Sequence, residues 1–180
     1  MSESENGANV PDVSDVAERW ARIDRLDLEP MVFKLTTAEE EGERLSLEVA
    51  DEAVGLYRGF LKLCVRYPGK AIVPNRVIDR VWHAHMVDTA KYREDCLRIA
   101  GRPLDHWPYS GTMGPQDEAQ LRDDFAVTRE LFFEHFRIDL AAGSAADCGQ
   151  GCGPCQGEPP NLASRERPRP DRSLVGADAG

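Results

Sequence analysis

Two of the chain's four histidines, His83 and His85, stand one residue apart in the stretch DRVWHAHMVDTAKYREDC, Asp79 to Cys96. Neutral imidazoles are ligands for iron, copper and zinc, so a His-x-His pair raises the prospect of a transition-metal site. An unbroken α-helix argues against it: at about 100° per residue, two such rings diverge by roughly 200°. A helix that stops just beyond them removes the objection. Asp88 followed by TAKYREDCLRIAG reads as the N-cap of a fresh helix, closed by Gly101 in the C′ position. The expected break over residues 86–88 would let the two rings converge.

Asp79 lies one turn before His83 and on the same face, where it could ligate the ion or orient the imidazole. His106, in LDHWPYSG, would come from a separate loop and make a site of three or more ligands with an open position. The expected metal set is therefore His83, His85, His106 and Asp79, for iron, copper or zinc. His135 is set aside as a structural or surface residue, because it sits near the end of an apolar helix where a cation suits the dipole. The competing reading has His83 and His85 bonding loop carbonyls and locking the helix break.

From His85 the helical three-to-four spacing runs on to Tyr92 and to Asp95 and Cys96. Tyr92 and Asp95 are the candidate catalytic residues, moving protons beside the ion. Cys96 could act as a thiolate ligand or nucleophile. Structurally, Tyr92 would instead anchor through its hydroxyl and Cys96 would be a small buried apolar residue.

A second constellation lies near the C-terminus. DCGQGCGPCQG spaces Cys148, Cys152 and Cys155 as C-x3-C-x2-C, with glycines that let a short chain wrap a soft ion such as copper(I) or zinc. The bland alternative is a disordered tail of redox-sensitive thiols.

These residues need elements to position them. Val16, Trp20, Ile23 and Leu26 recur at helical spacing, with Asp12 or Ser14 as cap and Pro30 as stop. MVFKL, 31–35, could be a short extended piece. Thr37 and Glu40 form a capping box opening a longer helix, with Leu45, Val49, Ala53, Leu56, Tyr57, Phe60, Leu61 and Cys64 inward. YPGK, 67–70, ends it. Pro74 and Asn75 open a third helix with Val77, Ile78, Val81 and Trp82 buried. The loop RPLDHWPYSGTMGPQ carries Trp107 and Tyr109, which should pack on the protein and, with Trp82, line an apolar pocket. A last helix runs from about Asp117 to Phe136, with Leu121, Phe125, Leu131, Phe132 and Phe136 inward.

The expected fold is all-α: a compact bundle of about five helices over residues 13–140, after a disordered 1–12. Residues 141–180 read as a disordered tail rich in glycine, cysteine and proline.

Bulk properties narrow the function classes. At 180 residues the chain can bury a substantial core, and a net charge of −10 with no basic stripe argues against nucleic-acid binding. The apolar runs are too short to cross a bilayer. The polar, acidic N-terminus MSESENGANVPDVSD does not read as a secretory signal, so a cytoplasmic location is expected, where five cysteines would stay reduced. No glycine-rich loop joins a strand to a helix, and no nucleophile triad is visible.

The stretch IDRVWHAHMVDTAKYREDC resembles the glycine-rich-domain-containing-protein-like family, whose pattern is Asp, two residues, Trp-His-x-His, then a Tyr and an Asp-Cys pair. The matching residues are Asp79, Trp82, His83, His85, Tyr92, Asp95 and Cys96. Similarity extends back through GLYRGFLKLCVRYPGKAIVPNRVID and forward to GRPLDHWPYSG, covering roughly residues 45–155. The Gly/Cys-rich tail also resembles small bacterial members. Asp105 stands where bacterial relatives often carry a first of two consecutive histidines. The resemblance adds weight to the site and implies no particular reaction.

Three functions follow as expectations. The first is a small metal-dependent enzyme of oxidative or hydrolytic chemistry, acting on a small-molecule or peptide substrate. The second is a non-catalytic metal-handling or interaction module with a structural WHAH turn and a protein partner recruited through the tail. The third is a redox protein working through the tail cysteines.

Overall fold

The computed structural model describes residues 13–37, 44–140 and 155–156. Among them the fold is all-α, with six helices and one short two-stranded pairing: α1 Val13–Asp24, α2 Glu29–Thr37, α3 Leu47–Arg66, β1 Ala71–Ile72, α4 Arg76–Val87, α5 Thr89–Ala100, α6 Pro115–Phe136 and β2 Cys155–Gln156. The expected N-terminal tail, Asp12, Glu40, Cys148, Cys152 and all of the expected C-terminal tail except Cys155–Gln156 lie outside the described residues; those two residues form strand β2, a correction to a wholly disordered tail.

The additional helix is α2, and it corrects the reading of Pro30 and of 31–35. Pro30 does not stop α1, which ends six residues earlier; it sits in the first turn of a new helix. Proline is at home there because first-turn N–H groups have no intrahelical acceptor to lose. Met31, Val32 and Leu35 then fall on one buried face, so the segment is helical rather than extended.

Thr37 closes α2 instead of opening α3, its hydroxyl donating back to the Phe33 carbonyl at 2.6 Å. The cap of α3 is Ser46, whose Oγ accepts from the Val49 N–H at 3.3 Å. This later start leaves Val49 exposed, while Ala53, Tyr57, Phe60, Leu61 and Cys64 are buried as expected.

α3 is the central element, packed by α1, α2, α4 and α6. Gly59 allows the approach of α6: a Cβ there would meet Phe132 Cε1 at 3.0 Å. Phe132 is fully buried against it, and a phenylalanine removed from water contributes about 1.5–3 kcal/mol. Phe60 and Trp82, both fully buried, set ring centroids 5.0 Å apart and fix α4 against α3. Val77, expected inward, is exposed at the start of α4. β1 pairs antiparallel with β2, Ile72 opposite Cys155, and Val73 N–H donates to Thr128 Oγ1 of α6 at 2.8 Å. No helix of the described residues is long and apolar enough to cross a membrane.

Candidate metal centre

Helix α4 is capped by Asn75, whose Oδ1 accepts from the Ile78 N–H at 2.9 Å, and it runs unbroken from Arg76 through Val87. Asp88 ends α4 and caps α5, its Oδ1 accepting from the Lys91 N–H at 3.3 Å. Gly101, at φ 71°, closes α5. The expected break therefore exists, but it is a single residue placed after Val87. His83 and His85 both keep helical geometry, and their side chains leave α4 on opposite sides.

His83 stays with Asp79, one turn earlier. Its Nδ1 lies 3.4 Å from Asp79 Oδ2, with the histidine side chain 31% exposed and the aspartate 10%. His106, from the segment between α5 and α6, brings its ring edge-on to His83 with centroids 5.1 Å apart. Asp79, His83 and His106 each offer one donor atom, and the three atoms lie within 4.8 Å of one another. Donors bound to one ion at about 2.1 Å stand roughly 3–4 Å apart, so modest inward rotation of the rings would complete three-point ligation.

Burial, and then the neighbouring His83, lower the His106 pKa from its ordinary value to about 4. The ring is thus neutral over the whole physiological range, which is the form a metal requires. Trp82 also packs edge-on with His106, centroids 4.9 Å apart.

His85 does not join this group, which corrects the expected four-residue set. It is 1% exposed and both ring nitrogens are engaged: Nδ1 lies 3.0 Å from Tyr57 Oη of α3, and Nε2 lies 3.2 Å from Asp95 Oδ2 of α5. The tautomer that satisfies all three groups carries its proton on Nε2, donates it to Asp95 and accepts the Tyr57 hydroxyl proton at Nδ1. Burial lowers the His85 pKa, opposed by the Asp95 carboxylate, which agrees with a neutral ring.

The two residues read as catalytic lie on the His85 side of α4 as well. Asp95 is buried and bound to His85 and to Lys91 Nζ, the latter at 2.9 Å. Tyr92 stands edge-on to His85 with centroids 5.0 Å apart, and its hydroxyl is held by Trp82 and by the Leu104 carbonyl. Its geometry is that of an anchor. Cys96 is buried in the apolar core, as the structural alternative expected.

In the loop, Leu104 and Trp107 are buried, and Trp107 meets Tyr109 edge-on at 5.0 Å. His135 lies at the far end of α6, its Nε2 2.7 Å from Tyr67 Oη and its ring beside Trp20. The role of Tyr57 as a partner of His85 has no sequence signal, because it depends on how α3 packs on α4. Comparison with known protein families, with curated proteins and with solved structures finds no match to this chain.

Proposed function

We propose that this chain is a small metal-dependent enzyme in which Asp79, His83 and His106 hold one transition-metal ion. The observation that carries this is the gathering of two imidazoles and one carboxylate, from a helix and a separate loop, with donor atoms within 4.8 Å. Three protein ligands leave coordination positions for water, dioxygen or substrate, the arrangement catalytic metals use. Two histidines and a carboxylate suit iron(II) for oxidation and zinc for hydrolysis. The resemblance of Ile78–Cys96 to the glycine-rich-domain-containing-protein-like family supports placing the working part of the molecule here.

In this reading the substrate is a small molecule or peptide met in the cytoplasm, and the net charge of −10 disfavours nucleic acid. The test is metal content by plasma mass spectrometry on the purified full chain. We expect about one ion per chain, kept when Cys148, Cys152 and Cys155 are all replaced by serine and lost in His83→Ala and in His106→Ala. Metal that disappears with the cysteines and survives the histidine changes would defeat the enzyme reading and leave a metal-handling module. The identity of the retained ion, iron or zinc, then chooses between oxidative and hydrolytic assays.

A further inference from the structure

His106 is the ligand of the proposed centre that no helix fixes, and the structure contains a device that holds it. The Tyr92 hydroxyl, projecting from α5, accepts a hydrogen bond from Trp82 Nε1 at 2.8 Å and donates its own proton to the Leu104 carbonyl at 2.5 Å. The same Trp82 indole packs edge-on against the His106 ring. Three elements therefore meet at one oxygen: α4, which carries Asp79 and His83; α5, which carries Tyr92; and the loop, which carries His106.

Around His106 the chain is pinned on both sides. Leu104 is tied by its carbonyl and by its buried side chain, and Trp107 by its buried indole. Between these anchors lie Asp105 and His106, and the ring of the second packs against Trp82 and His83.

We infer that Tyr92 is a positioning residue: through the Trp82 N–H and the Leu104 carbonyl it registers the loop against α4, so that His106 faces Asp79 and His83. This rests on the metal centre proposed above, because Tyr92 acts through His106 and does not itself touch the ion. The physical basis is preorganisation: a ligand on a loop binds an ion well only when the loop's freedom is already restricted, and groups that orient ligands carry part of the affinity.

The experiment compares the full chain with Tyr92→Phe and with Thr128→Val. The second change also strips a partner from a buried donor, the Val73 N–H, but does so on α6, at the β1 side of the molecule. Zinc affinity is measured by competition with a chromophoric chelator. Tyr92→Phe should weaken zinc binding about 10- to 100-fold, whereas Thr128→Val should lower stability and leave affinity unchanged. Equal affinity in Tyr92→Phe and the parent chain would overturn the inference, and so would an equal loss in Thr128→Val.

A metal-free readout separates this inference from the centre itself. Nuclear Overhauser contacts between the Trp82 and His106 rings should be strong in the parent chain and lost in Tyr92→Phe. A parent chain that binds neither zinc nor iron(II), with these contacts still lost in Tyr92→Phe, would sink the metal proposal and keep the positioning role; contacts that persist in the variant would sink the positioning role. Should Tyr92→Phe not fold, the parent chain decides through hydrogen exchange of the Trp82 indole proton. Zinc should slow it by tightening the loop on the Tyr92 oxygen, and an unchanged rate counts against the inference.

Discussion

His83 and His85 differ by one residue in position and share one helix, yet they inhabit two regions with opposite requirements. On one side of α4 lies the group of buried Asp79 and partly buried His83 and His106, whose donor atoms converge. On the other lies His85, enclosed with Tyr57 and Asp95, each ring nitrogen already matched to a partner. A fully buried imidazole must find protein partners for both nitrogens, because no water is there to take their place. A partly buried imidazole that shares its surroundings with a second imidazole and a carboxylate can turn toward an ion. The residue type is the same, and the side of the helix decides the chemistry.

The largest expected effect breaks this comparison or establishes it. His83→Ala and His106→Ala should each abolish metal binding while costing little stability, since both side chains are only partly buried. His85→Ala should do the reverse, lowering the urea midpoint markedly while the folded fraction still binds metal. Metal lost through His85→Ala in fully folded protein would mean that the two regions are one site.

The second effect is thermodynamic and confined to the buried side. The Asp95 carboxylate, 4% exposed, joins His85 to Lys91. Asp95→Ala removes it and leaves a half-buried ammonium and a buried imidazole without their shared acceptor. Breaking such a pair costs about 3–5 kcal/mol, and the low end is expected because Lys91 can turn toward water. Chemical denaturation measures this. A loss below about 1 kcal/mol would show that the network is incidental to the packing of α3, α4 and α5.

A smaller loss should follow from Tyr57→Phe, which keeps the ring against Phe60 and deletes the hydroxyl at His85 Nδ1. An unsatisfied buried acceptor costs about 1–3 kcal/mol. The pair of variants has a sharper use: since Tyr57 and Asp95 meet at one imidazole, their effects should fall short of additivity in the double variant. Simple additivity would indicate that His85 reorients when either partner goes.

What the sequence made legible was local. Asp88 and Gly101 are legible as caps, and Pro74–Asn75 as a helix entry, because such signals need only neighbours within three or four residues; the structure adds that Asn75 is itself the cap of α4. The shared face of Asp79 and His83 follows from the same short-range spacing. Pro30 is ambiguous in sequence, since proline fits both just after one helix and in the first turn of the next, and only the packing of Met31, Val32 and Leu35 chooses. The fate of His85 was beyond reach for a different reason. It is set by Tyr57, twenty-eight residues away on another helix, and by which side of α4 the bundle covers. The spacing to Asp95 was visible, but a neighbour along the sequence does not say whether the shared environment is wet or dry.

The smallest effect is a pH dependence, and it sharpens the contrast by asking how protons see the partly buried side. His106 has an ordinary pKa of 6.5 that the fold lowers to about 4, burial being the larger cause and His83 the lesser. Between those values the unfolded chain binds a proton at this ring that the folded chain does not. Unfolding is then favoured by acid: the contribution of His106 to stability is intact above about pH 6.5 and is lost as pH falls toward 4. His85, also lowered, adds a loss of the same sign, so the two must be separated by substitution. With a chelator present to remove metal linkage, urea midpoints of the parent chain should fall more steeply between pH 6.5 and 4.5 than those of His106→Gln, whose side chain does not titrate. Parallel curves would mean that the loop releases His106 to water at little cost before it is protonated, and the partly buried region would then be held together far more loosely than the His85 network behind it.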